Sequence, residues 1–361
     1  MRRILHIIPE FNPGGGIENV VMNYYRNIDR SHFQFDVVTH SIADSSLALE
    51  FESLGGRITK MPVFGLSALS DIRKKYAKLI YDNAYDCVHC HMPNAAFLYL
   101  KIAKSMGVPQ RILHSHQNRY ADTASHVIRN IPLVALGKPY ANVRLACSQD
   151  AGDFLFGHRE YTILPNAIEL DAFRFNKTLR AAKRDELGLA TNDFVLGNVG
   201  RLTPQKNQTF LLSFLPALLK KRPDIVVLLV GEGPCRNELV SEARDLKVSE
   251  HVRFLGMRTD MAGLYSAMDA FVFPSLYEGL GEALIEAQVS GLPAIASTDV
   301  PKIAKINDSC AFIDRMDENA WINGVSRLSR SSNRENGYLK ALGSQYDIES
   351  TKDMLEMIYR Q

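Results

Sequence analysis

Two glutamates separated by seven residues, Glu278 and Glu286, flank a glycine loop in Phe271-Val272-Phe273-Pro274-Ser275-Leu276-Tyr277-Glu278-Gly279-Leu280-Gly281-Glu282-Ala283-Leu284-Ile285-Glu286-Ala287. The spacing predicts a buried strand running into the loop and a helix leaving it. Both carboxylates can then face one ligand while the free amides near Gly281 point at its anionic part. Acidic residues at a helix start also complement the helix dipole, which accounts for Glu282 but not for a Gly-Leu-Gly loop at an apolar strand end. Upstream, Gly200-Arg201-Leu202-Thr203-Pro204-Gln205-Lys206-Asn207 again stands between a predicted strand and helix. Arg201, with its bidentate fork, and Lys206, a compact charge, suit a diphosphate. A solvated turn capped by Thr203 and Pro204 uses the same residues. Gly231-Glu232-Gly233-Pro234 reads as turn chemistry.

Gly14-Gly15-Gly16 follows the first predicted strand and precedes a helix, a place where backbone amides approach phosphate or simply make a tight turn. A dinucleotide fingerprint would set its third glycine at Asn19 and an acid near Val38-Thr39-His40. Neither is present, which disfavours a nicotinamide or flavin enzyme.

Short apolar runs alternating with helical periods must position these loops. Strands are expected at 3–8, 33–39, 57–61, 87–91, 111–114 and 143–147, with a last one ending at Leu164-Pro165-Asn166. A second series runs through 194–200, 225–230, 252–255, 270–273 and 294–296. The strandless stretch 167–190 reads as a connection. The expected organisation is a first α/β unit over 1–166, the connection, a second unit over 191–345 and a final helix over 346–361. Two doubly wound sheets of this kind hold ligands at the carboxyl ends of their strands.

The 361 residues carry 42 Lys plus Arg against 40 Asp plus Glu, a net charge of +2, so no global field favours nucleic acid. Hydrophobic content of 46% is that of an ordinary globular chain and excludes disorder and coiled coil. Five sparse cysteines suit reduced thiols in the cytoplasm rather than a disulfide framework. The apolar start is broken by His6 and Pro9, so it reads as a strand rather than a signal peptide, and no run reaches spanning length.

Taken together, the E-x7-E pair, Arg201 with Lys206, and the Gly15-Gly16 loop resemble retaining GT-B glycosyltransferases, and more narrowly family four, the group 1 enzymes. Pro165-Asn166-Ala167-Ile168 is similar to that family's P-N-G-[IV] element. Gly15-Gly16-Ile17-Glu18 resembles the branch that builds capsule and exopolysaccharide. The resemblance spans nearly the whole chain and implies a GT-B fold, two Rossmann-like domains facing a cleft. It implies transfer of a sugar from a nucleotide sugar, with UDP favoured, to a lipid-linked saccharide, and no metal or other cofactor. By position, Arg201 and Lys206 would neutralise the leaving diphosphate, Glu286 would bind ribose hydroxyls and Glu278 the transferred sugar. Amides at Gly279, Leu280 and Gly281, with those at Gly15 and Gly16, would cradle sugar and phosphates. His116 matches the family histidine of the donor-sugar site, whereas His114 reads as a satisfied core residue. A cytoplasmic location follows, with room for peripheral contact at the inner membrane face. Leu280 stands where relatives often carry Phe, and Ser297-Thr298-Asp299-Val300-Pro301-Lys302 replaces a common Gly-Gly-x-x-Glu loop. A nucleotide-sugar epimerase of the same architecture and a non-catalytic sugar-nucleotide binder stay open as alternatives.

Other patterns point elsewhere only by letter. Cys87-Val88-His89-Cys90-His91 matches a haem-attachment motif, yet on a strand residues three apart face opposite ways. The basic run Arg73–Lys78 suits a solvated helix face more often than contact with anionic lipid.

Overall fold

Apolar runs too short for helices become strands buried on both faces, as parallel sheets covered by helices require. All six residues of Ile225–Val230 lie inside. The computed structural model describes residues 1–44, 46–121 and 123–361. The elements are β1 (Arg2–Ile7), α1 (Gly16–Asn27), β2 (Phe33–Thr39), α2 (Ser46–Ser53), β3 (Arg57–Lys60), α3 (Leu69–Asn83), β4 (Cys87–Cys90), α4 (Ala96–Ser105), β5 (Gln110–Ser115), α5 (Ala124–Gly137), β6 (Val143–Ala146), α6 (Gln149–Phe156) and β7 (Thr162–Ile163). There follow α7 (Leu170–Phe173), α8 (Lys177–Glu186), β8 (Phe194–Val199), α9 (Gln208–Lys221), β9 (Ile225–Val230), α10 (Arg236–Asp245), β10 (Val252–Gly256), α11 (Met261–Ala267), β11 (Ala270–Phe273), α12 (Glu282–Val289), β12 (Ala294–Ser297), β13 (Cys310–Ile313), α13 (Glu318–Arg327), α14 (Glu335–Ala341) and α15 (Ile348–Arg360).

The chain divides into a first unit, Met1–Ile168 with Ile348–Gln361, and a second, Glu169–Asp347. Every strand pair is parallel. The first sheet runs β3-β2-β1-β4-β5-β6-β7 and the second β10-β9-β8-β11-β12-β13. Both are Rossmann-like orders in which chain direction across the sheet reverses, at β1/β4 and at β8/β11. That reversal opens a crevice at the carboxyl ends of the paired strands, and each candidate loop leaves one of them.

In the first unit one core packs α1 and α2 with Leu355, Ile358 and Tyr359 of α15 against one sheet face, while α3 and α4 cover the other. Cys87 belongs to the first core and Cys90 to the second, so the two thiols face opposite ways and grip no common haem or metal. Burial pushes the Cys90 thiol up to about 12 and raises Cys87 as well, and no disulfide joins any of the five cysteines. Side-chain caps start several helices, as Ser148 does for α6 and Asn176 for α8.

Two sequence expectations change. Within the stretch read as a connection, 170–173 and 177–186 are helices of the second unit. Arg180 donates to the carbonyls of Ser266, Ala267 and Met268 and pairs with Asp269 at 2.6 Å, and Arg184 reaches that carboxylate at 3.3 Å. Charge that looked like linker polarity is internal wiring. β13 is a further strand, short and half-buried. On α3, Arg73, Lys74, Lys75 and Lys78 are exposed but Ile80 points into the core, giving a solvated helix face. Exposed apolar residues gather instead on α5, where Ile128, Ile131 and Leu136 are 74%, 45% and 61% exposed.

Candidate active site

The second unit assembles its site at the carboxyl ends of β8 and β11. The loop after β8 carries Arg201 and Lys206, and it is stitched to the loop after β11. Leu276 N–H donates to the Gln205 carbonyl at 2.8 Å, Gln205 Nε2 to the Tyr277 carbonyl at 3.0 Å, and Asn207 Nδ2 to the Pro274 carbonyl at 3.1 Å. Beneath, Gln208 Nε2 reaches the Arg201 carbonyl at 3.2 Å and Asn198 Oδ1 at 3.3 Å. The Gly231–Pro234 segment, read as an ordinary turn, buttresses this loop. Gly231 has φ +133°, and a Cβ there would collide with the Gly200 carbonyl.

Lys206 Nζ donates to Glu278 Oε1 at 2.6 Å and lies 4.9 Å from the Phe273 ring centroid. Glu278 is 6% exposed, so the pair is largely withdrawn from water. An ammonium has three donors, and Glu278 takes one of them. Arg201 is exposed at the rim of the loop. Gly281 caps α12 with φ +93°, a left-handed conformation that glycine adopts without strain. Leu280 is buried and anchors the loop, and Gly279 is half-buried. One turn into α12, Glu286 Oε2 accepts from Tyr265 Oη at 2.7 Å. Loss of solvent pushes the Glu286 carboxyl up to about 6, against the opposing pull of the Tyr265 hydroxyl and the Lys206 charge. The structure thus brings Lys206, Glu278 and Glu286 together. Tyr265, Gln205 and Gln208 were not picked out from sequence, and no spacing marks Tyr265, which arrives from α11.

In the first unit, Gly15 and Gly16 open α1 as expected, but Glu18 folds its carboxylate back over Gly15, in the manner of a capping box. Any anion at these amides has to displace that carboxylate. At the β1/β4 reversal stand five histidines. His6 lies on β1 in register with His89 on β4, His91 follows β4, His114 lies on β5 and His116 just beyond it. His6 Nδ1 meets His91 Nε2 at 3.0 Å, His91 Nδ1 meets His116 Nε2 at 2.7 Å, and His89 Nε2 meets His114 Nδ1 at 3.1 Å. Tyr359 Oη on α15 meets His89 Nδ1 at 2.7 Å and His6 Nε2 at 3.5 Å. His114 is fully buried, as a core residue should be, yet its Nε2 makes no hydrogen bond, so it is not the satisfied histidine expected. Donor nitrogens of His6, His89 and His91, and of His91, His114 and His116, lie within 4.8 Å of one another, a composition able to ligate a metal. The bonded nitrogen pairs lie at proton-sharing distances, so the cluster as it stands is a hydrogen-bonded one.

Comparison with known proteins agrees with both halves. The description Glycosyltransferase Family 4 matches residues 14–172 and Glycosyl transferases group 1 matches residues 180–338. The chain belongs to this family of group 1, family 4 glycosyltransferases, and its two parallel-sheet units are those of the GT-B fold. It is 32% identical to the Bacillus subtilis protein EpsF, described as a glycosyltransferase, over 99% of this chain and 96% of that one. It is 28% identical, over 64% of this chain and 63% of the other, to the Escherichia coli UDP-Gal:alpha-D-GlcNAc-diphosphoundecaprenol alpha-1,3-galactosyltransferase. Among solved structures, Anabaena HepE in complex with UDP-glucose superposes with a TM-score of 0.82 at 20% identity, covering 100% of both chains, a likeness of fold.

Proposed function

We propose that this glycosyltransferase moves a sugar from a UDP-sugar to a lipid-linked saccharide, with retention at the anomeric carbon, in assembly of an exopolysaccharide, capsule or O-antigen. The observation that carries the reading is the convergence of Lys206, Glu278 and Glu286 where β8 and β11 part, beside the first amides of α12. As the bond from the anomeric carbon to the diphosphate oxygen breaks, Lys206 and Arg201 offset the charge gathering on the leaving group, with help from amides at Gly279 to Gly281. The sugar gains oxocarbenium character, Glu278 contacts its hydroxyls, and the acceptor hydroxyl oxygen closes the new bond as its proton passes to the departing diphosphate. Glu286 accepts from the ribose hydroxyls, and His116 lines the sugar site. Two cations and a helix terminus meet the electrostatic need, so neither a metal nor another cofactor enters the reading. The named donor and acceptor of the Escherichia coli relative are of this kind.

The test is a thermal-shift panel of UDP, GDP, ADP and NAD without metal. UDP alone should raise the melting temperature, and Arg201→Ala, at an exposed position, should abolish that rise without lowering the ligand-free value. A response to NAD, or an undiminished UDP shift in the variant, would remove the diphosphate assignment. Release of a new UDP-sugar without acceptor would mark an epimerase instead.

The reading places the enzyme at the cytoplasmic face of the membrane. No helix among the described residues is long and apolar enough to cross one. Ile128, Ile131, Pro132, Ala135 and Leu136 recur at helical spacing on one exposed face of α5. Exposed Arg129, and Lys101 and Lys104 on the adjoining α4, add positive charge suited to an anionic bilayer. Ile128→Asp should cut cosedimentation with anionic phospholipid vesicles about tenfold, since a charge replaces a buried aliphatic group in the contact. Equal sedimentation of parent and variant would put the acceptor lipid elsewhere.

A further inference from the structure

We infer that His116, His91, His6, Tyr359, His89 and His114 form one directional hydrogen-bond chain that sets the tautomer of His116, with Tyr359 of α15 as a positioning residue. The part of this concerning catalysis rests on the reading of His116 as a sugar-site residue; the chain itself does not.

The links run in sequence: His116 Nε2 to His91 Nδ1, His91 Nε2 to His6 Nδ1, His6 Nε2 to Tyr359 Oη, Tyr359 Oη to His89 Nδ1, and His89 Nε2 to His114 Nδ1. Burial keeps all five rings neutral. It lowers His6 to about 3 and His116 to about 4, and it carries His89, His91 and His114 down as well. The Tyr359 phenol, its acidity suppressed by the same burial, keeps its proton. A neutral imidazole carries one N–H and one bare nitrogen, and a phenol supplies one O–H.

The proton count then constrains the chain. Six groups bring six protons, five links consume five, and one proton is left for two ends, His116 Nδ1 and His114 Nε2. Only two arrangements satisfy every link. Either all five rings are Nε2–H, or all five are Nδ1–H. A mixed set leaves at least one link with two protons or none, at a buried site where that cost is not recovered from water.

The two ends, His116 Nδ1 and His114 Nε2, are both buried. Whichever of them holds the last proton, the five rings share one tautomer, and His116 presents to the sugar site the donor or the acceptor that the rest of the chain dictates.

Ring-15N histidine labelling of the full chain at pH 7.5 tests this, because long-range proton–nitrogen correlations report each tautomer without donor or acceptor present. His6, His89, His91, His114 and His116 should all read the same tautomer. His40, whose Nδ1 faces the Pro62 carbonyl at 2.5 Å while Tyr99 Oη donates to Nε2 at 2.9 Å, should read Nδ1–H and serves as the standard. A mixture of Nδ1–H and Nε2–H rings among the five overturns the inference. Tyr359→Phe keeps the ring but cuts the chain. It should turn the His116 signal into a mixture of tautomers and lower kcat about tenfold, the size of one lost hydrogen bond, with UDP affinity unchanged. A His116 signal unmoved by Tyr359→Phe would equally overturn it. Absence of sugar transfer in the parent enzyme, with the common tautomer present, would fault the proposed function and leave the chain standing.

Discussion

Lys206→Ala is expected to lower turnover by about 100- to 1,000-fold, the usual scale for removing one preorganised charge from a developing oxyanion. The same substitution should also destabilise the second unit, for a separate reason. Glu278 sits 2.6 Å from Lys206 and is almost fully buried. Removing the ammonium leaves that carboxylate without its counter-charge, at a cost of roughly 3 kcal/mol when one partner of a buried pair is deleted. The two effects are separable. Lys206→Ala with Glu278→Gln should melt close to the parent, since a neutral amide tolerates the site, while turnover stays low because the leaving diphosphate has lost its cation. Differential scanning calorimetry and steady-state transfer on the single and double variants decide between roles. Recovery of turnover in the double variant would mean that Lys206 serves only to neutralise Glu278.

How much of this was written in the chain differs from element to element. Ile225–Val230 announces a buried strand by composition, and Ala270–Phe273 was placed to the residue. The spacing of Glu278 and Glu286 across one glycine loop carried the site, because loop and helix are continuous and their geometry is local. Helix α8 was illegible for the opposite reason. Arg180 and Arg184 look like solvent-facing charge until Asp269, far along the chain, arrives beneath them. Tyr265 reaches Glu286 in the same non-local way. The histidine chain lies between these extremes. The two His-x-His spacings at 89–91 and 114–116 were visible, and alternation puts each pair on one strand face. Their meeting depends on the parallel register that sets His6 opposite His89, and on a helix at the far end of the sequence delivering Tyr359. Pairwise register of distant strands is not encoded in any short window, so rings that touch in space have no common signal in sequence.

Glu286→Gln is expected to make the protein more stable and worse at its task. The Glu286 carboxyl is pushed from 4.5 to about 6, chiefly by loss of solvent. Such a shift costs the folded state about 2 kcal/mol once the group is ionised, at 1.36 kcal/mol per pKa unit. The sign follows from proton linkage. Above pH 6 the carboxylate is charged both folded and unfolded, and the whole penalty is present. As pH falls from 6 toward 4.5, the folded state takes up the proton first and the penalty fades. Glutamine keeps an oxygen to accept from Tyr265 and carries no charge, so at pH 8 the variant should melt roughly 4–8 °C above the parent, and near pH 4 the two should converge. Binding should move the other way. A carboxylate accepting hydrogen bonds from neutral hydroxyls is worth about 1.5–3 kcal/mol, so UDP affinity should drop about tenfold or more at pH 8. Parent affinity should itself decline as pH passes below 6, while the glutamine variant stays flat. Melting curves at pH 8 and pH 4 with calorimetric UDP titrations would read all of this. A variant that melts below the parent at pH 8 and binds UDP as well as the parent would place Glu286 in the scaffold rather than in the donor site.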